Sequence, residues 1–100
     1  GHTETAKLLL EKGTNVNDKN DNGYNSLMIA ILNGNTETAK LLLEKGTDIN
    51  YKQKDGFTAL MLAVSYGHTE TVKALIQKGA SINDKNNNGY NSLMLASQNG

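Results

Sequence analysis

Apolar positions in this chain fall in short helical stripes that recur about every 33 residues. The middle copy, Gly34 to Tyr66, reads GNTETAKLLLEKGTDINYKQKDGFTALMLAVSY. A version of it occupies residues 1–33, another occupies 67–99, and Gly100 opens a further copy. Each copy begins with a stripe spaced three and then one: Ala6, Leu9 and Leu10; Ala39, Leu42 and Leu43; Val72, Leu75 and Ile76. That spacing is one face of a helix. Leu8 and Leu41 widen the stripe, and Ala74 narrows it in the third copy. The expected helices run from Thr3, Thr36 and Thr69 to Lys12, Lys45 and Lys78. His2, Asn35 or His68 stands at the cap. Glu4, Glu37 and Glu70 sit in the first turn, where the helix dipole favours negative charge. Gly13, Gly46 and Gly79 close the helices in the left-handed conformation.

A polar segment follows each long helix: Thr14 to Tyr24, Thr47 to Phe57, and Ala80 to Tyr90. Its single aliphatic residue, Val16, Ile49 or Ile82, is expected to plug into the core. Asn22-Gly23, Asp55-Gly56 and Asn88-Gly89 are turn signals, so the segment should project as a hairpin-like finger with little regular strand. A shorter helix comes next, capped by Asn25, Thr58 or Asn91. It should span Ser26 to Asn33, Ala59 to Tyr66, and Ser92 to Asn99. The expected buried faces are Leu27, Ala30 and Ile31; Leu60, Ala63 and Val64; and Leu93, Ala96 and Ser97. Gly34, Gly67 and Gly100 reverse the chain into the next long helix. Finger, short helix, tight turn and long helix together make a helix-pair solenoid, in which each unit buries its apolar face on its neighbours.

Composition removes several classes of function. Only 37% of the 100 residues are apolar and there is one Phe, so a single closed core would be modest, whereas a repeat stack avoids that limit. Formal net charge is zero, which gives no global field toward nucleic acid or an anionic membrane. No Cys is present, which excludes disulfides and thiolate metal sites and fits a reducing, cytoplasm-like compartment. The apolar runs are far too short for a membrane span, and no signal-peptide pattern is visible.

The repeat resembles the ankyrin repeat family over residues 1–100, in phases 1–33, 34–66 and 67–99. The family unit opens with Asp, two variable residues and Gly, followed by Thr-Pro-Leu-His and an Ala pair. It continues through Gly-His, a Val-rich helix ending in leucines, Gly-Ala and an Asn. The middle copy and its successor supply Gly56, Thr58-Ala59-Leu60-Met61, Ala63, Gly67-His68, Val72, Leu75-Ile76, Gly79-Ala80, Ile82 and Asn83. The tetrapeptide departs from the family: it is Asn25-Ser26-Leu27-Met28, Thr58-Ala59-Leu60-Met61 or Asn91-Ser92-Leu93-Met94. With Met in the His place, a polar brace gives way to apolar packing. The family's turn-fixing Asp is Asn20, Gln53 or Asn86, so a looser finger is expected. The resemblance implies an all-α, ankyrin-like helix-pair solenoid with projecting β-turn fingers; because both ends cut through a repeat, part of a longer array is expected. It implies a non-catalytic protein-binding module that presents a concave surface.

Carried over copy by copy, that surface includes Tyr24, Leu32 and Asn33, with Asp21 and Asn22 beside them. In the second copy it includes Lys54, Asp55, Phe57, Ser65 and Tyr66. In the third it includes Asn87, Tyr90 and Gln98, with Asn88 and Asn99. The rings of Tyr24, Phe57 and Tyr90 recur just after the turn glycine and should form a ladder at the finger base. They either anchor a partner or simply pack over their own short helix. Tyr66 occurs in one copy only and is a candidate for specificity.

Other candidates for chemistry are weak. Asp18 to Gly23 and Asp84 to Gly89 imitate half a calcium loop, but Ile29 and Leu95 stand where the loop needs a bidentate Glu. His2 and His68 lie two repeats apart, too far to share a metal. Nothing supplies a nucleophile with its base, or an isolated Gly-rich phosphate loop, so no enzyme, metal or cofactor is expected. Lys19, Lys52 and Lys85 interleave with Asp18, Asp21, Asp55 and Asp84, which reads as a solvated face and not a nucleic-acid stripe. Three readings remain: a binding module for a protein partner; a spacer or engineered repetitive array that stacks end to end through uncapped flanks; and an enzyme only by way of an appended domain. The opening flank would be Ala6, Leu9 and Leu10, and the closing flank Leu93, Leu95 and Ala96.

Overall fold

The structure, a computed structural model, describes residues 23–98. Expectations that rest on residues 1–22, Asn99 and Gly100 lie outside them, including those for Val16, Asp18, Asn20, Asp21 and Asn22. Five helices are described: α1 (Ser26–Leu32), α2 (Thr36–Glu44), α3 (Ala59–Ser65), α4 (Thr69–Gln77) and α5 (Ser92–Gln98). Short and long helices alternate with the finger segments between pairs, and no strand occurs among the described residues. None of these helices is long and apolar enough to cross a membrane.

The short helices start where a side-chain oxygen meets an orphan N–H. Asn25 Oδ1 accepts from Met28 N at 3.0 Å, Thr58 Oγ1 from Met61 N at 3.3 Å, and Asn91 Oδ1 from Met94 N at 3.0 Å. Asn35 caps α2 the same way, accepting from Thr38 N at 3.2 Å. His68 occupies the cap position of α4 but makes no side-chain capping bond. Helices α1 to α4 end one residue before the expected position. Asn33, Tyr66, Lys45 and Lys78 are caps and not helical residues. The reason lies in the glycine that follows. Gly67, at φ 70°, turns the chain so that His68 N reaches back to Ala63 O at 3.0 Å. Asn35 N reaches Ala30 O at 2.9 Å around Gly34.

Each short helix packs on the next short helix, and α2 packs on α4. The core is contributed mainly by α1, α2 and α3: Leu27, Met28, Ile31, Ala39, Leu42, Leu43, Leu60, Leu62 and Ala63, with Leu75 from α4. Burying one such Leu is worth about 1.5–3 kcal/mol relative to leaving it in water. Met28 and Met61 are fully buried, so the apolar substitute for the family's His is packed as expected.

The third copy departs from the expected core. Ile76 is 52% exposed, whereas Leu43 at the same repeat position is buried. Ile82 is exposed, while Ile49 packs against the core. Leu93 is 74% exposed and Ala96 and Ser97 are also exposed, although Leu60 and Ala63 are buried in α3. The cause is stacking: α5 covers α3, and no described element covers the far side of α5. Leu95, expected on the exposed closing flank, is instead buried, because it belongs to the side of α5 that faces inward. Val64 is half-buried against the core.

Candidate functional site

The fingers are braced by buried amides. Gln53 Oε1 accepts from Asp55 N at 2.6 Å and Phe57 N at 3.0 Å. Asn86 Oδ1 accepts from Asn88 N at 2.9 Å and Tyr90 N at 3.0 Å. Both residues are buried, and both turns are also closed by main-chain bonds. Gly56 N donates to Gln53 O and Gln53 N to Phe57 O, with the same pair between Asn86, Gly89 and Tyr90. The expected loosening through loss of the family's Asp is therefore not seen in these two fingers. One amide oxygen accepts the two N–H groups that an Asp carboxylate would. The longer Gln and the shorter Asn make the same pair of bonds.

Neighbouring fingers are joined edge to edge. Asn87 N donates to Asp55 O at 2.9 Å and Asn87 Nδ2 to Lys54 O at 3.0 Å. Lys52 Nζ donates to Lys85 O at 3.1 Å, and Ser81 N to Asn50 Oδ1 at 2.8 Å. The Tyr51 hydroxyl donates to Gly23 O. These bonds join successive repeats, and the Lys52 side chain does more than face solvent. Sequence reasoning missed the contributions of Asn50, Tyr51 and Lys52. The repeat spacing placed Lys52 opposite Lys85, 33 residues on, but not Asn50 opposite Ser81 or Tyr51 opposite Gly23, which lie 31 and 28 residues apart.

The candidate contact residues separate into three groups. Tyr24, Leu32 and Phe57 are half-buried and pack against the core. Lys54, Asp55 and Asn87 are exposed at the finger tips, where main-chain groups of the first two receive Asn87. Asn33, Tyr66, Tyr90 and Gln98 are exposed and Ser65 is half-buried. Tyr66 is 55% exposed and Tyr90 39%. Tyr66 caps α3, with its ring centroid 6.0 Å from that of His68 and the planes tilted by 37°. His68 Nε2 is buried without a hydrogen-bond partner.

No group of three or more His, Cys, Asp or Glu that could hold a metal occurs among the described residues. In the calcium-like Asp84 to Gly89 segment, the Asn86 oxygen is already committed to two main-chain N–H groups. The ion pair of Lys73 with Glu70 at 3.8 Å is exposed and contributes little.

A search among curated proteins finds no match to the chain. The family model described as "Ankyrin repeats (3 copies)" matches residues 1–53 and 48–100. With the alternating helix pairs, the glycine-closed turns and the finger segments already in place, this chain belongs to the ankyrin repeat family.

Proposed function

We propose that the chain is a non-catalytic module that captures a protein partner, with Tyr66 as its central anchor. Ankyrin repeats are in general protein–protein interaction modules. The observation that carries the reading here is the exposure of Tyr66 beside the His68 ring. Tyrosine is among the side chains enriched at binding hot spots, and Tyr66 is exposed for a partner to cover. Tyr90, Lys54, Asp55, Asn87, Asn33, Ser65 and Gln98 form the surrounding polar surface, while Tyr24, Leu32 and Phe57 support it from below. The fingers, tied together at their edges, keep the surface from losing much entropy on binding. The partner is to be captured with the wild-type chain, identified by mass spectrometry, purified, and titrated against wild type and Tyr66→Ala. An anchor predicts a loss of at least about 2 kcal/mol in binding, with helicity unchanged. Equal affinity for the two proteins overturns the reading.

A second reading, end-to-end stacking of copies as a spacer or self-associating array, is favoured by one observation. Leu93 and Met94 on α5, and Ile82 in the segment before it, are large apolar side chains left exposed in the third copy. Sedimentation over a range of concentrations tests it: a monomer throughout excludes stacking.

A further inference from the structure

Four Asn-Gly steps occur in the chain: Asn22-Gly23, Asn33-Gly34, Asn88-Gly89 and Asn99-Gly100. An Asn followed by Gly can cyclise on its own, because the glycine nitrogen has no neighbouring side chain to hinder its approach to the Asn side-chain carbon. The reaction needs the glycine N–H to leave its hydrogen bond and the Asn to leave its turn geometry. The described structure differs sharply between the two steps it contains.

Asn33-Gly34 is built into the end of α1. Asn33 N donates to Ile29 O, Gly34 N to Ile31 O, and Asn35 N to Ala30 O. A Cβ placed on Gly34 would lie 3.8 Å from His68 Cε1, an ordinary contact, and Asn33 and Gly34 are both exposed, so this step is held by its main-chain bonds. Opening it means unwinding a helix that carries four core residues.

Asn88-Gly89 is held within its own turn by Asn86, and the preceding residue, Asn87, is tied to the second finger. Asn88 N and Tyr90 N both donate to Asn86 Oδ1, and Gly89 N donates to Asn86 O at 2.9 Å. No described residue comes within 4 Å of a Cβ placed on Gly89. The corresponding turn of the second copy is clamped: Asn87 lies against Gly56 and bonds the main chain of Lys54 and Asp55. The third finger has no such neighbour among the described residues, and Asn88 is exposed.

We propose that Asn88 is a self-modifying site that deamidates in the folded protein, ahead of Asn33. Solvent base removes the Gly89 N–H proton. The nitrogen then attacks Asn88 Cγ, the new C–N bond closes a succinimide, and the side-chain amide leaves as ammonia. Water opens either carbonyl of the ring and gives Asp or isoAsp. The product places a carboxylate two residues before Tyr90. The isoAsp form also inserts a methylene into the stretch that Asn86 braces.

Purified folded protein is held at mildly alkaline pH, digested at intervals, and mapped by mass spectrometry for exchange of the amide for a carboxyl group. Water enriched in oxygen-18 labels the new oxygen. The expected result is conversion at Asn88 several-fold faster than at Asn33 in the same molecules. Conversion at Asn33 as fast as at Asn88, or no conversion at Asn88 while the urea-unfolded chain converts, overturns the proposal. Asn86→Ala is expected to raise the ratio of the Asn88 rate to the Asn33 rate. Global unfolding would instead bring both rates to the level of the unfolded chain, so circular dichroism and the Asn33 rate serve as internal controls. An unchanged ratio in folded Asn86→Ala sinks the bracing argument.

Discussion

The side-chain amide of Asn87 donates to the main-chain carbonyl of Lys54 at 3.0 Å, while its own N–H reaches Asp55 O. One residue thereby ties the third finger to two successive peptide units of the second. Asn87→Ala removes the side-chain bond and leaves the main-chain bond possible. A net loss of about 1 kcal/mol in unfolding free energy is expected. Urea unfolding monitored by circular dichroism checks it, and an unchanged midpoint would show that the amide contributes nothing. The same variant bears on binding. A loss of affinity at Asn87 would carry a stability change with it, whereas one at Tyr66 should not.

Gly56 illustrates how close the fingers approach. It sits at φ 85°, and a Cβ there would fall 2.7 Å from Asn87 Oδ1 and 2.8 Å from Asn87 N. Gly79 has a similar φ of 91°, but nothing lies within 4 Å of its Cβ position. Gly79→Ala therefore incurs only the left-handed backbone cost, about 1–2 kcal/mol. Gly56→Ala adds a clash with main chain that only separation of the fingers relieves, so its cost should be clearly larger. Thermal unfolding of the two variants side by side would reveal equal losses if the fingers separate freely.

Gln53 is 5% exposed, and its Oε1 is the acceptor for two main-chain N–H groups. Gln53→Ala strands both donors at the finger base, and about 2 kcal/mol of stability should go with them. Gln53→Asn should recover most of the loss, because Asn86 makes the same two bonds with the shorter side chain. Failure of the Asn variant to recover stability would mean that the length of Gln53, and not its acceptor, is what the second finger requires.

How far the sequence could be read differs between these features. Helix starts were legible because a capping side chain acts within three residues, as at Asn25, Asn35, Thr58 and Asn91. The positions of Leu27, Leu42 and Leu60 in the core were legible because one helical stripe repeats in each copy. The finger braces were misread, since a missing Asp was equated with a missing acceptor, although an amide oxygen accepts as well. Exposure in the third copy does not follow from periodicity, since Leu60 and Leu93 share one repeat position and differ only in what covers them; the closing flank was expected to expose Leu93 and Ala96, and it does, but not Leu95. The same limit applied to the recurring ring. Spacing assigns Tyr24, Phe57 and Tyr90 equal roles, yet packing half-buries the first two and leaves Tyr90 39% exposed.

Met61 and Met94 turn that difference in covering into a measurement. They occupy the same place in α3 and α5, with Met61 at 0% exposure and Met94 at 43%. Met61→Ala empties a site enclosed between the helices, and a loss of about 2–5 kcal/mol is expected, enough to threaten folding of so small an array. Met94→Ala removes a side chain already half in water and leaves no enclosed cavity, so its effect should stay below about 1 kcal/mol. Should the Met61 variant be too unstable to purify, Met61→Leu provides the graded comparison. It conserves most of the volume and should lose less than about 1.5 kcal/mol. Similar losses for Met61→Ala and Met94→Ala would mean that the outer side of α5 is covered in solution, which sedimentation of the same samples would register as self-association.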